Sequence, residues 1–164
     1  TDAAVNVSPS VETRVDATLQ TAKMARKLGV ARPRIAILSA TEALSKAIPS
    51  SIEAEQIAQL ARKVDKKADY AGPLSLDLAL SPKSVISKGI AEDSFLGIVA
   101  GKADAVVVPD LVSGNILFKS LVYFANALAA GIVVGGKVPI VLTSRSDPPQ
   151  ARIASIALAA LTNA

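Results

Sequence analysis

The sequence contains no cysteine, no histidine and no tryptophan, and aromatic residues make up only 3% of it. Without cysteine or histidine the chain supplies no thiolate nucleophile, no Ser-His-Asp triad and none of the usual zinc ligands, so no metal site is expected. Any proton transfer falls to Asp, Glu, Lys, Tyr or the acidity of a substrate. The shortage of aromatics leaves little to stack on bases, so no nucleic-acid partner is expected, although 18 basic against 14 acidic residues give a charge of +4. That excess is dispersed, with Lys63, Lys66 and Lys67 its densest group, and it suits small anionic molecules equally well. The longest uncharged stretch, between Lys119 and Lys137, carries Asn126 and three glycines and makes a poor membrane span, so no membrane partner is expected. No opening segment has the order of a signal peptide, and the missing cysteines fit a cytoplasmic protein without disulfides. The chain begins at Thr1 and opens on TDAAVNV, which reads as the inside of a strand. It is therefore expected to be part of something longer.

What is present is 51% apolar over 164 residues, enough for a core built from Ala, Val, Ile and Leu. Residues 3 to 7 read as a short buried strand, and Ser8 and Pro9 as the cap and first residue of a helix running to about Leu28, where Gly29 stops it. Val11, Val15, Leu19 and Ala22 recur at helical spacing. The apolar run 34 to 40 reads as a strand covered on both faces, central in a parallel sheet. Ser50 and Glu53 form a capping-box pattern for a helix over 51 to 64. A strand near 69 to 75, an irregular stretch to about Leu80 and a helix opened by Ser81 and Pro82 follow. Residues 104 to 108 form another strand, SGN at 113 to 115 opens a helix to about Ala130, and GIVVGG and PIVLTS are two further strands. Asp147 and Pro148 open the last helix, with Ile153, Ile156, Ala157, Ala160 and Leu161 on one face. Strands alternating with helices predict an α/β fold with a mainly parallel sheet flanked by helices.

Ligands of open α/β sheets gather where strands end and helices begin. Two such junctions are unusually polar. At Pro109 to Asn115, Ser113, Gly114 and Asn115 would present hydroxyl, bare backbone and amide at a helix start, with Asp110 to take a proton or hold a cation. The same residues also read as a strand exit with a helix cap. At Thr143 to Asp147, Arg145 can grip a phosphate or thioester oxygen through its planar fork. The alternative there is a cap at Asp147 with Arg145 in solvent or paired with a carboxylate. GPLSLD, from Gly72 to Asp77, reads as a structural bend with Asp77 as a cap. Neither a P-loop nor a G-x-G-x-x-G spacing is present.

Taken in order, TDAAVN at 1 to 6, ILSATE at 37 to 42, GPLSLDLA at 72 to 79, AGKADAVVVPDLVSGNILFKSL at 100 to 121 and VPIVLTSRSD at 138 to 147 resemble phosphate acetyltransferases and butyryltransferases. The TSR-x-D form is more similar to the butyryl branch. The resemblance implies a fold like that of isocitrate and isopropylmalate dehydrogenases, two α/β domains around a cleft. On it, residues 1 to 138 are the second domain, and 139 to 164 are a strand and helix completing a first domain whose N-terminal part is absent. It implies a homodimer formed largely through the second domain; the helix 113 to 130, apolar around much of its circumference, is expected to make the contacts. It further implies exchange of an acyl group between coenzyme A and inorganic phosphate, with acyl-CoA and acyl phosphate as reactants and no permanently bound cofactor. The fragment alone is expected to be inactive.

The resemblance places the reaction on Ser144 and Arg145, the serine toward developing negative charge and the arginine on phosphate or carbonyl oxygen. The acetyl enzymes carry a further aspartate several residues on, where an ungapped count reaches Ala151. Asp147 either substitutes for it as a base or caps the helix. Asp110, Ser113, Gly114 and Asn115 carry over as a cleft-lining, coenzyme A-contacting group. Two other readings stay open: a nicotinamide-dependent decarboxylating dehydrogenase, for which Asp110 and Asp147 supply no D-x-x-x-D metal cluster, and a non-catalytic coenzyme A-binding or dimerisation module.

Overall fold

A computed structural model of the chain describes residues 1–145 and 147–163, Asn163 by its backbone alone. The chain divides into two units, Thr1–Asn115 and Ile116–Ala164.

The first unit holds helix α1 (Val11–Lys27), strand β1 (Arg34–Leu38), helix α2 (Pro49–Val64), strand β2 (Asp69–Leu74), the short helices α3 (Leu76–Leu80) and α4 (Pro82–Ser87), strand β3 (Ala105–Val107) and the start of helix α5 (Leu111–Phe124). The three strands form one parallel sheet in the order β2-β1-β3. As its unbroken apolar run predicts, β1 is central, with Ile35, Ala36 and Ile37 fully buried. Helices α1 and α2 pack on each other and on the sheet. Alanines 54, 58 and 61 of α2 are fully buried beside Ile57, and side chains this small bring the helix close to the strands.

Ion pairs clamp the amino ends of the strands. Arg34, opening β1, donates from its backbone amide and guanidinium to Asp104, ahead of β3, at 2.8 to 3.1 Å. Arg32 pairs with Asp69, which opens β2, at 2.6 Å. Such half-exposed pairs stabilise by about 0–1 kcal/mol each, but they fix the register of three short strands at one end. The carboxyl ends are left to the loops. Because the chain passes from β1 to β2 on one side and returns to β3 on the other, the fold has a switch point between the carboxyl ends of β1 and β3.

Several local expectations change. Residues 3 to 7 form no strand; the Asp2 carboxylate accepts hydrogen bonds from the amides of Ala4, Val5 and Asn6 at 2.7 to 3.1 Å and gathers the segment into a bend. Thr1 keeps a strand-like role, donating from its amino group to the Val106 carbonyl and accepting from the Val108 amide, both at 2.8 Å. The cap of α1 is Ser10, two residues later than Ser8, and its hydroxyl accepts from the Thr13 amide. The capping box at α2 does not form. Its Glu53 is drawn to Arg14 at 2.9 Å and Ser50 pairs with Ser39 at 2.9 Å, so α2 starts at Pro49 without a side-chain cap. The stretch before Leu80 is helical as α3.

The second unit contains the remainder of α5, strands β4 (Gly131–Val133) and β5 (Ile140–Leu142), and helix α6 (Pro149–Asn163). The two strands pair antiparallel, as a sheet separate from the parallel one. Helix α5 stops at Phe124 rather than near Ala130, because Asn126 turns left-handed (φ 52°) and Leu121 O accepts from the amides of both Ala125 and Ala127. Helix α6 packs through small residues, Ala151, Ser155, Ala159 and Thr162. The face carrying Ile153, Ile156 and Leu161 is exposed, the reverse of what an apolar stripe predicts for an isolated unit. Ser155 explains the choice: its hydroxyl accepts from the Gly131 amide at 3.0 Å and donates to the Ala151 carbonyl at 2.8 Å, tying α6 to β4.

Candidate active site

Three polar segments collect at the carboxyl end of the parallel sheet. After β1, Ser39 extends the strand by donating its amide to the Leu74 carbonyl at 2.9 Å. After β2, Ser75 stands at the start of α3. Lys88, just past α4, joins the first two segments: its ammonium lies 3.1 Å from Asp77, 3.9 Å from Glu42 and 3.2 Å from the Ser75 hydroxyl. Hydrogen bonds with Ser75 and Lys88 hold the Asp77 carboxyl down at about 2. The GPLSLD segment is thus tied to ILSATE through one lysine. Asp77 sits in the first turn of α3 and is not its cap.

The third segment follows β3. The helix expected from Ser113 begins two residues earlier, because Asp110 caps it: its backbone carbonyl accepts from Gly114 at 3.1 Å and its carboxylate from the Ser113 amide at 2.8 Å. Ser113 and Gly114 therefore lie in the first turn of α5, with Asn115 directly after it. Asp110, Ser113, Gly114 and Asn115 are brought together here, close to the opening bend. Asn115 donates from its amide nitrogen to the Ala3 carbonyl at 3.4 Å. Gly114 is buried against the Asp2 backbone, and a Cβ at this position would meet the Asp2 carbonyl oxygen, with Val108 Cγ2 at 2.9 Å. The glycine is required by that close approach. Burial pushes the Asp2 carboxyl up, but the amides of Ala4, Asn6 and Val5 outweigh it and hold it below the ordinary carboxylate value.

Beside this group lies Arg14, on the inner face of α1 and 2% exposed. Its Nη1 donates to Glu53, while Nε and Nη2 are buried without a hydrogen-bond partner among the described residues. Burial pushes the guanidinium below its ordinary value, against the attraction of Glu53 and Asp110. Reading the sequence for motifs passes over Arg14. The signal was its position: at helical spacing between Val11 and Thr18 it falls on the packed face of α1. Asp2 was missed too, since TDAAVNV scans as an extended apolar run.

In the second unit, Ser144, Arg145 and Asp147 share one tight turn between β5 and α6. The Asp147 carboxylate accepts from the Ser144 amide at 2.5 Å, and the Asp147 amide donates back to the Ser144 carbonyl at 3.1 Å. Arg145 is exposed. Ser146 lies outside the described residues. Asp147 does not cap α6: the helix starts at Pro149, and the Pro148 carbonyl accepts its first hydrogen bonds from Ala151 and Arg152. The Asp147 side chain closes the turn that presents Ser144 and Arg145. Ala151 is buried on the packed face of α6, so that position offers no carboxylate.

An open parallel sheet with its polar loops at the carboxyl ends of the strands, joined to a switch point, defines an open α/β protein, a class that holds ligands at that end. The model of the family described as "Phosphate acetyl/butaryl transferase" matches residues 1–160. The chain belongs to this phosphate acetyl/butyryl transferase family. It is 42% identical over 162 residues to a phosphate acetyltransferase of Rhizobium meliloti, covering 98% of this chain and 50% of that protein. It is 36% identical over 162 residues to a phosphate butyryltransferase of Clostridium acetobutylicum, covering 98% of this chain and 52% of that protein. Its structure is similar to that of a branched-chain phosphotransacylase from Enterococcus faecalis V583, with a TM-score of 0.89 at 38% identity, over 99% of this chain and 56% of the other. The chain spans about half the length of the curated relatives it matches. No helix among the described residues is long and apolar enough to cross a membrane.

Proposed function

We propose that this chain forms part of a cytoplasmic phosphate acyltransferase that exchanges an acetyl or butyryl group between coenzyme A and inorganic phosphate. The observation that carries the reading is the family match over residues 1–160, with acetyl- and butyryltransferases both among the relatives. In the proposed reaction the coenzyme A thiolate attacks the carbonyl carbon of the acyl phosphate. The carbon–sulfur bond forms, the carbon–oxygen bond to phosphate breaks, and phosphate leaves with that bonding pair. A thiol with a pKa of about 8.5 ionises with little help near neutrality, which suits a chain without histidine. The chemistry needs no permanently bound cofactor.

In this reading Arg145 holds phosphate or carbonyl oxygen and Ser144 hydrogen-bonds the charge that develops there. Asp147 fixes the turn through the Ser144 amide and is assigned to accept the thiol proton. Asp110, Ser113, Gly114 and Asn115 form the coenzyme A-contacting group, with Gly114 serving close packing and Asn115 exposed to a ligand. The proposed architecture is that of isocitrate and isopropylmalate dehydrogenases, residues 1–138 being the second domain and 139–164 part of the first. The exposed apolar side chains of β5 and α6 support an arrangement in which further structure covers them. A homodimer through α5 is supported by the exposure of Ile116, Leu121 and Phe124.

The test runs in the acyl-CoA direction. With acetyl-CoA or butyryl-CoA, the full-length protein is expected to release free thiol only when inorganic phosphate is supplied. Equal release without phosphate would identify hydrolysis and overturn the reading.

A further inference from the structure

Arg14 is a buried cation that the described protein acceptors match only in part. Its guanidinium has five N–H donors, its Nη1 is committed to Glu53, and Nε and Nη2 are enclosed without an acceptor among the described residues. A buried donor left unmatched loses its hydration with nothing in return, so native proteins satisfy such groups with protein or water. Arg14 lines a cavity of ≈ 10 Å³ whose other polar walls are Asp2, Asn6, Thr13 and Asp110. That is roughly the room of a single water molecule.

The chemistry of the walls selects the occupant. An anion would accept from Arg14, but two carboxylates face it. A metal cation would meet the guanidinium. Water does both jobs, accepting from the arginine and donating to a carboxylate or amide oxygen. The Asp2 carboxylate already accepts four hydrogen bonds, from the amides of Ala4, Val5 and Asn6 and from the Asn6 side chain, which fills its lone-pair sites. Asn6 commits its Nδ2 to Asp2, leaving its amide oxygen to accept. Asp110 commits Oδ1 to the Ser113 amide, leaving Oδ2.

We propose that one buried water accepts from Arg14 and donates to Asp110 and Asn6, making Arg14 the positioning residue for Asp110. Arg14 thereby fixes the first turn of α5 from a different helix. Charge and water act on one carboxylate oxygen while the other holds the Ser113 amide, so the orientation of Asp110 is set from both sides. The consequence for coenzyme A rests on the function proposed above; the bridge itself does not.

Two readouts test the bridge without activity. A high-resolution crystal structure of the protein is expected to show a water within hydrogen-bond distance of Arg14 and Asp110. Arg14→Lys keeps a charge for Glu53 but has no fork to reach the water as well. Amide exchange at Ser113 is then expected to rise about tenfold or more, the size of a lost charge-assisted hydrogen bond, while the amides of β1 are unchanged. Arg14→Met is expected to give the same local loosening, and Arg14→Lys is the variant that stands if Arg14→Met fails to fold. Absence of the water, or unchanged Ser113 exchange in Arg14→Lys, overturns the proposal. The third readout is kinetic: Arg14→Lys is expected to raise KM for coenzyme A about tenfold with kcat within about twofold, the mark of a weakened binding contact. If the water and the exchange behave as stated but KM does not move, the bridge stands and the coenzyme A reading of α5 falls.

Discussion

Replacing Gly114 by alanine separates two roles that one residue could have. In the structure its α-carbon faces the Asp2 backbone, so the added methyl would meet the Asp2 carbonyl oxygen, the Asp2 carbonyl carbon at 3.0 Å and Val108 Cγ2 at 2.9 Å. Two of these three atoms are backbone and cannot swing away. Overpacking of this kind costs about 1–3 kcal/mol, and here the upper part of that range applies. Against it, alanine is favoured over glycine inside a helix by about 1 kcal/mol. The net expectation is a loss of about 1–2 kcal/mol, which for a domain of this size lowers the melting temperature by about 2–8 °C. Thermal unfolding of Gly114→Ala beside Gly136→Ala provides the comparison. A Cβ at Gly136 finds only the Val138 carbonyl oxygen at 3.6 Å, so that variant should stay within about 0.5 kcal/mol of the parent. A Gly114→Ala protein as stable as the parent would refute the packing account and leave the glycine to be explained by a ligand.

Two further outcomes follow from the same reasoning. Ser155→Ala should cost about 1–2 kcal/mol, because it leaves the Gly131 amide without its acceptor; urea unfolding that shows no change would remove the tie between α6 and β4. Stability should fall in acid. Hydrogen bonds from Arg34 hold the Asp104 carboxyl below its ordinary value, those from Ser75 and Lys88 hold Asp77 at about 2, and amide bonds outweigh burial at Asp2. A carboxyl depressed on folding stabilises above its unfolded pKa and loses that contribution as pH falls toward the folded one. The urea midpoint should therefore hold above about pH 5 and decline below about pH 4. A midpoint that is flat or rising between pH 5 and pH 3 would contradict the sign.

Residue pattern revealed the parallel core because its strands are buried on both faces and read as plain apolar runs. Ile35, Ala36 and Ile37 leave no alternative period, and the helices between strands then fix the class. Pattern failed where a side chain works on a distant or non-helical partner. Glu53 has the spacing of a capping box yet belongs to Arg14, thirty-nine positions away. TDAAVNV scans as a strand, but the Asp2 carboxylate competes for its amides and bends it. Periodicity in α6 located an apolar stripe without saying what lies opposite it, and in this unit the small-residue face is the packed one. Of the expected site, the grouping of Asp110 with Ser113, Gly114 and Asn115 was legible as a strand-to-helix junction. That Asp110 is its cap, and that Arg14 stands behind it, required the fold.

The most direct measurement is acyl-CoA formation from coenzyme A with acetyl phosphate or butyryl phosphate, by the full-length protein and by Arg145→Ala. Turnover in the parent, reduced by about 10²–10³ in a variant that still folds and binds coenzyme A, is the predicted result, since a preorganised cation over developing charge contributes on that scale. No turnover with either acyl phosphate, or a variant as fast as the parent, would contradict it.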